Sequence, residues 1–248
     1  MQKHTYFIAD MHLGLPLYDP AERERKVVRW LDSIKDSAAA VYVLGDAFDF
    51  WWEYKYVVPR GHVRFLGKLA ELTDSGVAVH YFTGNHDLWA RSYLHEECGV
   101  TMHSAPTEEV TLGGKIFFLA HGDRLGSGAP AALTLLQRIF TSRLLQRMFA
   151  MLHPRWAFAF GYAWSKKNRL SRGIAVPFRG EEEVQYKFAA KMAQHKKIDY
   201  FVFGHRHTPI AVELPNSSAQ LVLLSDWITG STYADFDGEK LALRNFEF

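Results

Sequence analysis

The sequence Thr-Tyr-Phe-Ile-Ala-Asp-Met-His, residues 5–12, joins a short apolar run to an aspartate and a histidine two positions apart. The run is rich in β-branched and aromatic residues, which is typical of a buried strand. Alternate side chains at a strand end point the same way, so Asp10 and His12 can face one site. Such a pair also occurs often by chance, and alone it carries little weight.

Further apolar runs along the chain are each followed by a polar motif. The predicted strands are residues 41–44, 77–82, 115–120 and 200–203. The motifs directly after them are Gly45-Asp46, Gly84-Asn85-His86-Asp87, His121-Gly122-Asp123 and Gly204-His205-Arg206-His207. Ligands of open α/β sheets gather at the carboxyl ends of strands, where loops converge. Five independent strand ends therefore can supply one site.

Helical patterns alternate with these strands, for example at residues 21–35 and 63–75, the latter followed by Gly76 as a stop signal. The alternation predicts an α/β layered fold with a mixed sheet. Towards the C-terminus, turn signals at residues 215–218 and 237–238 separate consecutive predicted strands. These strands, at residues 210–214, 221–225, 230–236 and 240–246, indicate a second sheet.

Residues 124–180 differ from the rest of the chain, because they contain ten Lys and Arg residues and no Asp or Glu. Leucines and aromatic residues lie between these cations, many at helical spacing. The segment is predicted to be a basic, amphipathic helical insert. It can be a cap that packs on the sheet with a solvated basic face, or a lid that also meets an anionic amphiphile or an acidic lipid surface.

Length and composition limit the remaining possibilities. The 248 residues, with 48% hydrophobic residues, can form one domain spanning residues 1–248, and a net charge of +2 gives no reason to expect a nucleic-acid partner. Cys98 is the single cysteine, which excludes an internal disulfide and favours the cytoplasm. The N-terminal apolar run is too short for a signal peptide, so any membrane association is expected to be peripheral.

The motif residues offer oxygen and imidazole donors without thiolate, a set that suits Mn²⁺, Fe or Zn²⁺. Seven ligands exceed the needs of one ion, whereas a shared carboxylate allows two ions about 3.5–4 Å apart to activate a hydroxide for attack on phosphorus. The candidate ligands are Asp10, His12, Asp46, Asn85, His121, His205 and His207. The histidines outside the motifs, at positions 4, 62, 80, 95, 103, 153 and 195, are expected to be surface or packing residues.

The order Asp-x-His, Gly-Asp, Gly-Asn-His-Asp, His-Gly-Asp, Gly-His-x-His resembles the calcineurin-like metallophosphoesterase superfamily over the whole chain outside the insert. This resemblance implies a two-sheet sandwich flanked by helices. It also implies Asp10, His12 and His207 on one metal, Asn85, His121 and His205 on the other, and Asp46 as the bridge. His86 would act near the leaving group as an acid or an electrostatic stabiliser. Asp87 would orient His86.

Within that superfamily the chain most resembles the UDP-2,3-diacylglucosamine pyrophosphohydrolases of bacterial lipid A synthesis. The shared features are residues 7–13 and 45–51, the basic insert, and Ser165-Lys166 with the arginines that follow. The resemblance implies hydrolysis of a UDP-linked diacylated sugar with two divalent ions, Mn²⁺ ahead of Fe or Zn²⁺, in a cytoplasmic protein peripheral to the inner membrane. The expected substrate-binding residues are Asn85, Ser165, Asn168, Arg169, Arg172 and His205.

Two differences from the family pattern leave other substrates possible. His86 stands where the best-known members have arginine, and a histidine there suits an alkoxide leaving group that needs a general acid. Ala129 stands where relatives tend to carry an acidic residue. The alternative is therefore a general phosphodiesterase or phosphomonoesterase acting on another nucleotide or lipid. A nuclease and a non-catalytic scaffold of the same fold are less favoured.

Overall fold

The computed structural model describes residues 3–247 except 127–130 and 173–176, and the side chains of residues 131–133 and 166–172 are also outside the description. Eleven strands alternate with helices along these residues. The strands are β1 His4–Ile8, β2 Ala38–Leu44, β3 Ala78–Phe82, β4 Thr101–His103, β5 Thr107–Leu112, β6 Lys115–Ala120, β7 Tyr200–Phe203, β8 Ile210–Glu213, β9 Gln220–Leu223, β10 Thr232–Phe236 and β11 Leu241–Asn245.

The strands form two mixed sheets. One has six strands in the order β11-β10-β1-β2-β3-β4, and the other has five in the order β5-β6-β7-β9-β8. In the first sheet β1, β2, β3 and β4 are parallel, while β10 runs antiparallel to β1. In the second sheet β6, β7 and β9 are parallel. The predicted α/β two-sheet architecture is therefore confirmed.

A shared apolar layer joins the two sheets. Phe7 on β1 stacks on Tyr42 of β2 at 5.3 Å between ring centroids and on Phe117 of β6 at 5.5 Å. Strands β1 and β2 are buried on both faces, as expected for near-continuous apolar runs in parallel strands. Helices cover the outer faces of the two sheets. Three of them pack on the first sheet: α1 Pro20–Ile34, α2 Val63–Asp74 and α3 Tyr93–Cys98. One helix, α7 Val184–Ala193, packs on the second sheet.

The C-terminal strands do not all join the sheet that was expected. β8 and β9 belong to the five-stranded sheet, but β10 and β11 cross to the other sheet and extend it beyond β1. The local pattern specifies strands, and the choice of partner depends on apolar contacts that are distant in sequence. Phe236 on β10 illustrates this, since its ring packs at 4.9 Å from Phe117 between the sheets.

The basic segment contains three helices, α4 Ala131–Thr141, α5 Arg143–Ala150 and α6 Pro154–Arg172. Aromatic side chains attach α6 to the loop after β2. Phe50 lies 6.3 Å from Phe158 and 5.9 Å from Tyr162, both on α6. Among the described residues, no helix combines the length and the apolarity that crossing a membrane requires.

The close approach of α6 to Phe50 depends on a glycine. A Cβ added at Gly161 would lie 2.5 Å from the ring of Phe50, which is too close for a relaxed contact. We expect Gly161→Ala to lower the free energy of unfolding by about 1–3 kcal/mol through overpacking. Urea unfolding followed by tryptophan fluorescence measures the change.

Gly67 on α2 provides the matched control, because a Cβ there meets no atom within 4 Å. Gly67→Ala should leave stability unchanged or raise it by about 0.5–1 kcal/mol through helix propensity. Equal effects of the two substitutions would show that α6 does not pack on Phe50 as described.

Candidate dinuclear metal centre

The predicted motif residues converge at one edge of the sandwich. The parallel strands β1, β2 and β3 of one sheet and β6 and β7 of the other end there with their carboxyl ends. The loops that follow them carry the seven candidate ligands Asp10, His12, Asp46, Asn85, His121, His205 and His207. The structure thus brings together all the residues that the sequence predicted as metal ligands.

Several ligand residues have an unusual backbone conformation. The φ angles are 55° at Asp10, 45° at His12, 52° at Asp46, 71° at His205 and 55° at His207, all in the left-handed region. That region costs a non-glycine residue on the order of 1–3 kcal/mol, and it is maintained where surrounding contacts over-determine it. The conformation turns successive side chains of each loop towards the common space.

Asp10 connects the loops after β1 and β7. Its carboxylate is fully buried, and Oδ2 accepts a 2.7 Å hydrogen bond from the backbone N–H of His205. Oδ1 has no hydrogen-bond partner among the described residues and lies 3.3 Å from His207 Nε2 and 3.7 Å from His12 Nε2. A buried oxygen without a hydrogen bond, facing two imidazole nitrogens, fits a cation ligand.

Asp46 occupies the position between two groups of ligands. One oxygen, Oδ1, accepts the backbone N–H of His86 at 2.8 Å. The other, Oδ2, lies 3.4 Å from His121 Nε2 and 3.9 Å from His12 Nε2. Asn85 completes this side, with its Oδ1 3.3 Å from His121 Nε2. The carboxylate of Asp46 can therefore serve both metals.

Among the described residues, three groups of side chains can hold an ion, each with its ligand atoms within 4.8 Å of one another. Two of them, Asp10-His12-His207 and Asp46-His121-His205, follow the division expected from the resemblance. The third combines His12 and Asp46 with His86. The donor set fits two divalent ions, which when bound would polarise a phosphoryl oxygen and lower the pKa of a coordinated water.

The buried ionisable groups of the centre shift one another's pKa values. Burial alone would raise the pKa of Asp46, but the neighbouring His121 and His86 hold it well below its ordinary value. Burial opposes protonation of His121, yet Asp46 raises the pKa of His121 well above its ordinary value. Burial lowers the pKa of His205 to about 4, so its imidazole is neutral and can donate a lone pair to a metal.

His86 is oriented by Asp49 and Ser165. Its Nδ1–H donates to the backbone carbonyl of Asp49 at 2.9 Å, and Ser165 Oγ lies 3.4 Å from the same nitrogen. The buried Asp49 carboxylate lies with Oδ1 3.8 Å from His86 Nδ1 and 3.8 Å from His12 Nδ1. Asp49 was not predicted as a site residue, although its place three residues after Asp46 in a motif was a usable signal.

Asp87 bonds to two neighbouring loops and to Tyr81. Its fully buried carboxylate accepts the backbone N–H groups of Gly84 at 2.7 Å and Ala47 at 2.8 Å and the hydroxyl of Tyr81 at 2.5 Å. These bonds tie the loop after β3, which carries His86, to the loop after β2. Burial and the charge of Asp46 raise the pKa of Asp87 to about 6.

Residues at the start of α7 hold the remaining ligand loops, and sequence reasoning missed them. Gln185 is buried, and its Nε2 donates to the carbonyl of Gly204 at 3.0 Å and to that of Gly122 at 3.4 Å. Glu183 is buried and accepts from Arg206 at 2.8 Å. Single polar residues on a helix form no recognisable motif, so no local signal pointed to them.

The expected substrate residues are only partly described. Ser165 is buried on α6 beside His86. Asn168, Arg169 and Arg172 follow on the same helix, but their side chains lie outside the described residues, as does Ala129 altogether. None of the histidines expected to be surface or packing residues joins a possible metal group in the described part of the chain.

The chain belongs to the calcineurin-like phosphoesterase family, whose model matches residues 3–209. It is therefore a metal-dependent hydrolase. A UDP-2,3-diacylglucosamine hydrolase of Porphyromonas gingivalis is 40% identical over 263 residues, with 100% of this chain and 99% of that protein covered. Proteins with the same name from Edwardsiella ictaluri and Neisseria gonorrhoeae are 30% and 28% identical, covering 83% and 90% of this chain and 76% and 89% of their own lengths.

Loss of the Asp46 carboxylate should affect both metals together. We expect Asp46→Ala to lose most of its metal and to reduce kcat/KM on a chromogenic phosphodiester by at least about 10²-fold, because a shared ligand and the positioning of both ions are lost. Elemental analysis of gel-filtered protein and steady-state kinetics measure these effects. His195→Ala, on an exposed residue, is the control. Two retained metals with normal turnover would contradict the bridging role.

Asp49 should act through the histidines that it faces. We expect Asp49→Asn to weaken metal binding about 10- to 100-fold, as is usual when the carboxylate partner of a ligating histidine is removed. Metal titration of the apoprotein measures this, and Asp49→Glu should restore part of the affinity. Asp36→Asn, on an exposed carboxylate, should change nothing. An unaltered metal affinity in Asp49→Asn would show that Asp49 is only a packing residue.

Proposed function

We propose that this protein hydrolyses the pyrophosphate bond of UDP-2,3-diacylglucosamine and releases UMP and the acylated sugar 1-phosphate. The observation that carries the proposal is the contact of Ser165 on α6 with His86, 3.4 Å between Oγ and Nδ1. This contact joins the basic, apolar insert directly to the metal centre. The relative that is 40% identical over the full length is named for the same substrate.

The surroundings of the site suit the two chemical halves of that substrate. A diphosphate needs cations, and the metal centre and the insert supply them. Acyl chains need apolar surface, and aromatic residues lie beside the site. Phe50 and Trp89 lie 5.8 Å apart, Trp89 contacts Phe140 of α4 at 5.3 Å, and Phe140 contacts Trp164 of α6 at 6.2 Å.

Substrate-binding roles follow from position. Asn85 and His205 lie in the metal centre, where they can meet the phosphates as well as the ions. On α6, positions 165, 168, 169 and 172 recur at spacings of three and four residues, which share one side of a helix. Ser165, Asn168, Arg169 and Arg172 are therefore proposed to contact the sugar and its phosphate.

We propose Mn²⁺ as the native metal, held by Asp10, His12 and His207 on one side and by Asn85, His121 and His205 on the other, with Asp46 between. His86 is proposed to meet the leaving oxygen through Nε2, because its Nδ1 is bonded to Asp49. It then donates a hydrogen bond or a proton to the departing group.

A general phosphodiesterase is the second candidate. His86 favours it, because an alkoxide leaving group gains more from a general acid than a phosphate anion does. A scaffold without activity is disfavoured, because all seven ligand positions carry metal-binding side chains that converge. The protein is proposed to work on the cytoplasmic side of the inner membrane, held peripherally through the insert. No nucleic-acid partner is proposed.

The insert should choose the substrate while the metal centre performs the chemistry. We expect Arg169→Ala and Arg172→Ala to lower kcat/KM for UDP-2,3-diacylglucosamine about 10- to 100-fold, the usual cost of a lost charge-assisted hydrogen bond to phosphate. Hydrolysis of a small chromogenic phosphodiester should change little, since that substrate does not reach the insert. The ratio of the two kcat/KM values is the measurement.

Arg155, near the start of α6 and exposed, gives a control with the same loss of charge on the same helix. Arg155→Ala should leave the ratio unchanged. An equal decline of both substrates in the Arg169 and Arg172 variants would make the insert a structural cap. A wild-type protein that ignores the acylated sugar nucleotide but cleaves the small diester would favour the general phosphodiesterase.

A further inference from the structure

A cavity of about 460 Å³ lies between α5 and the chain just before α3, and the proposed reaction does not use it. It is lined by Arg91, Arg143, Gln146, Arg147 and Ala150. Three of its five lining residues are arginines, which is unusual for a surface without a ligand, because like charges that share a small space repel one another.

These arginines are not neutralised by carboxylates. Among the described residues, no carboxylate oxygen lies within 4.0 Å of any of the three guanidinium groups. The carboxylate of Glu53 lies beside Arg91, but it accepts the backbone N–H groups of Arg91 at 2.8 Å and Ser92 at 3.0 Å. The positive charge of the cavity is therefore available to an anion.

Helix α5 makes this arrangement still less favourable without an anion. Arg143 and Arg147 are four residues apart, so they lie on the same side of the helix and repel each other. Arg143 also stands in the first helical turn, where the helix dipole is already positive. A phosphate bound between Arg143 and Arg147 would relieve their repulsion.

The cavity is held in place before any ligand binds. Arg91 donates to Gln146 Oε1 at 2.9 Å, and Gln146 in turn donates to the carbonyl of Phe140 at 2.7 Å. The guanidinium of Arg91 lies 5.7 Å from the centroid of the Trp52 ring. Trp52 packs on Phe149 of α5 at 4.5 Å, so both walls of the cavity are fixed to one another.

Apolar side chains project to solvent beside the arginines. Leu144 is 67% exposed, Met148 51% and Met151 78%, at spacings of four and three residues that align them on one side. A basic side next to an exposed apolar side is the pattern of helices that lie in a membrane interface. A soluble phosphate would bind the arginines but would leave these three side chains in water.

We propose that the cavity binds the phosphate of an anionic phospholipid, while Leu144, Met148 and Met151 enter the acyl region of the same leaflet. The inference rests on the proposed peripheral location, and it requires no particular substrate. It assigns to Arg91, Arg143 and Arg147 a task separate from Arg169 and Arg172. The protein thereby binds the membrane through α5 and the acylated substrate through α6.

The test uses the full chain loaded with metal and sedimented with vesicles of phosphatidylcholine alone or mixed with phosphatidylglycerol. Wild-type protein should bind the mixed vesicles preferentially, and added salt should weaken this binding. The triple variant Arg91→Gln, Arg143→Gln, Arg147→Gln should bind them on the order of 100-fold more weakly, since each basic residue contributes about fivefold at such a surface. Leu144→Ser with Met148→Ser should also weaken binding.

The control variant Lys187→Gln, Lys191→Gln, Lys197→Gln removes the same charge from exposed residues outside the insert. Equal losses in both triple variants, or no preference of the wild type for phosphatidylglycerol, would overturn the proposal. So would glycerophosphate binding that is as tight as vesicle binding, because the site would then serve a soluble anion. Hydrolysis of the small phosphodiester should stay unchanged in the arginine variant, so failure of the membrane site and failure of the proposed reaction are distinguishable.

Discussion

Buried carboxylates that must be satisfied by neighbouring loops are the constraint on which the rest of the site depends. Asp10 accepts the N–H of His205, Asp46 that of His86, and Asp87 that of Ala47. An ionised carboxylate away from water costs several kcal/mol unless such partners are present. The bonds draw the loops so close that a Cβ at Gly204 would lie 2.6 Å from Asp10 Oδ2. The glycine beside Asp10 and the histidines that face the carboxylates thus follow from the same requirement, which is that each buried carboxylate must be satisfied.

The sequence predicted the strands and the convergence of the candidate metal ligands, because an apolar run that ends in a polar motif is a local signal. The five strand ends, the positions of the seven candidate ligands at those ends and the helical character of the basic segment were accessible in this way. Residues whose partners are distant along the chain could not be predicted from the sequence. Asp49, Glu183 and Gln185 act through contacts with other loops, and no local pattern indicated that Asp87 bonds to Tyr81 and to the backbone of Ala47. The division of the last four strands between two sheets was hidden for the same reason.

The insert and the sandwich have separate physical characters but share one boundary. On the sandwich side, the centre is made of buried groups whose charges are matched. On the insert side, residues 124–180 contain no Asp or Glu, and apolar side chains such as Trp156 and Phe160 remain exposed. Ser165 and Phe50 lie at the boundary, one beside His86 and the other against α6. Family membership accounts for the hydrolytic centre, and the insert is the part of the chain to which we assign substrate selection.

The position of β1 has a consequence for the growing chain on the ribosome. β1 pairs on one side with β2, which is synthesised soon afterwards, but on the other side with β10, where Tyr6 faces Asp235. Until β10 emerges, β1 is an open edge that can pair with another nascent chain. The carboxylate of Asp10 lacks the His205 amide for nearly as long. Completion of the candidate metal centre and protection of β1 from aggregation are therefore both late events in biosynthesis.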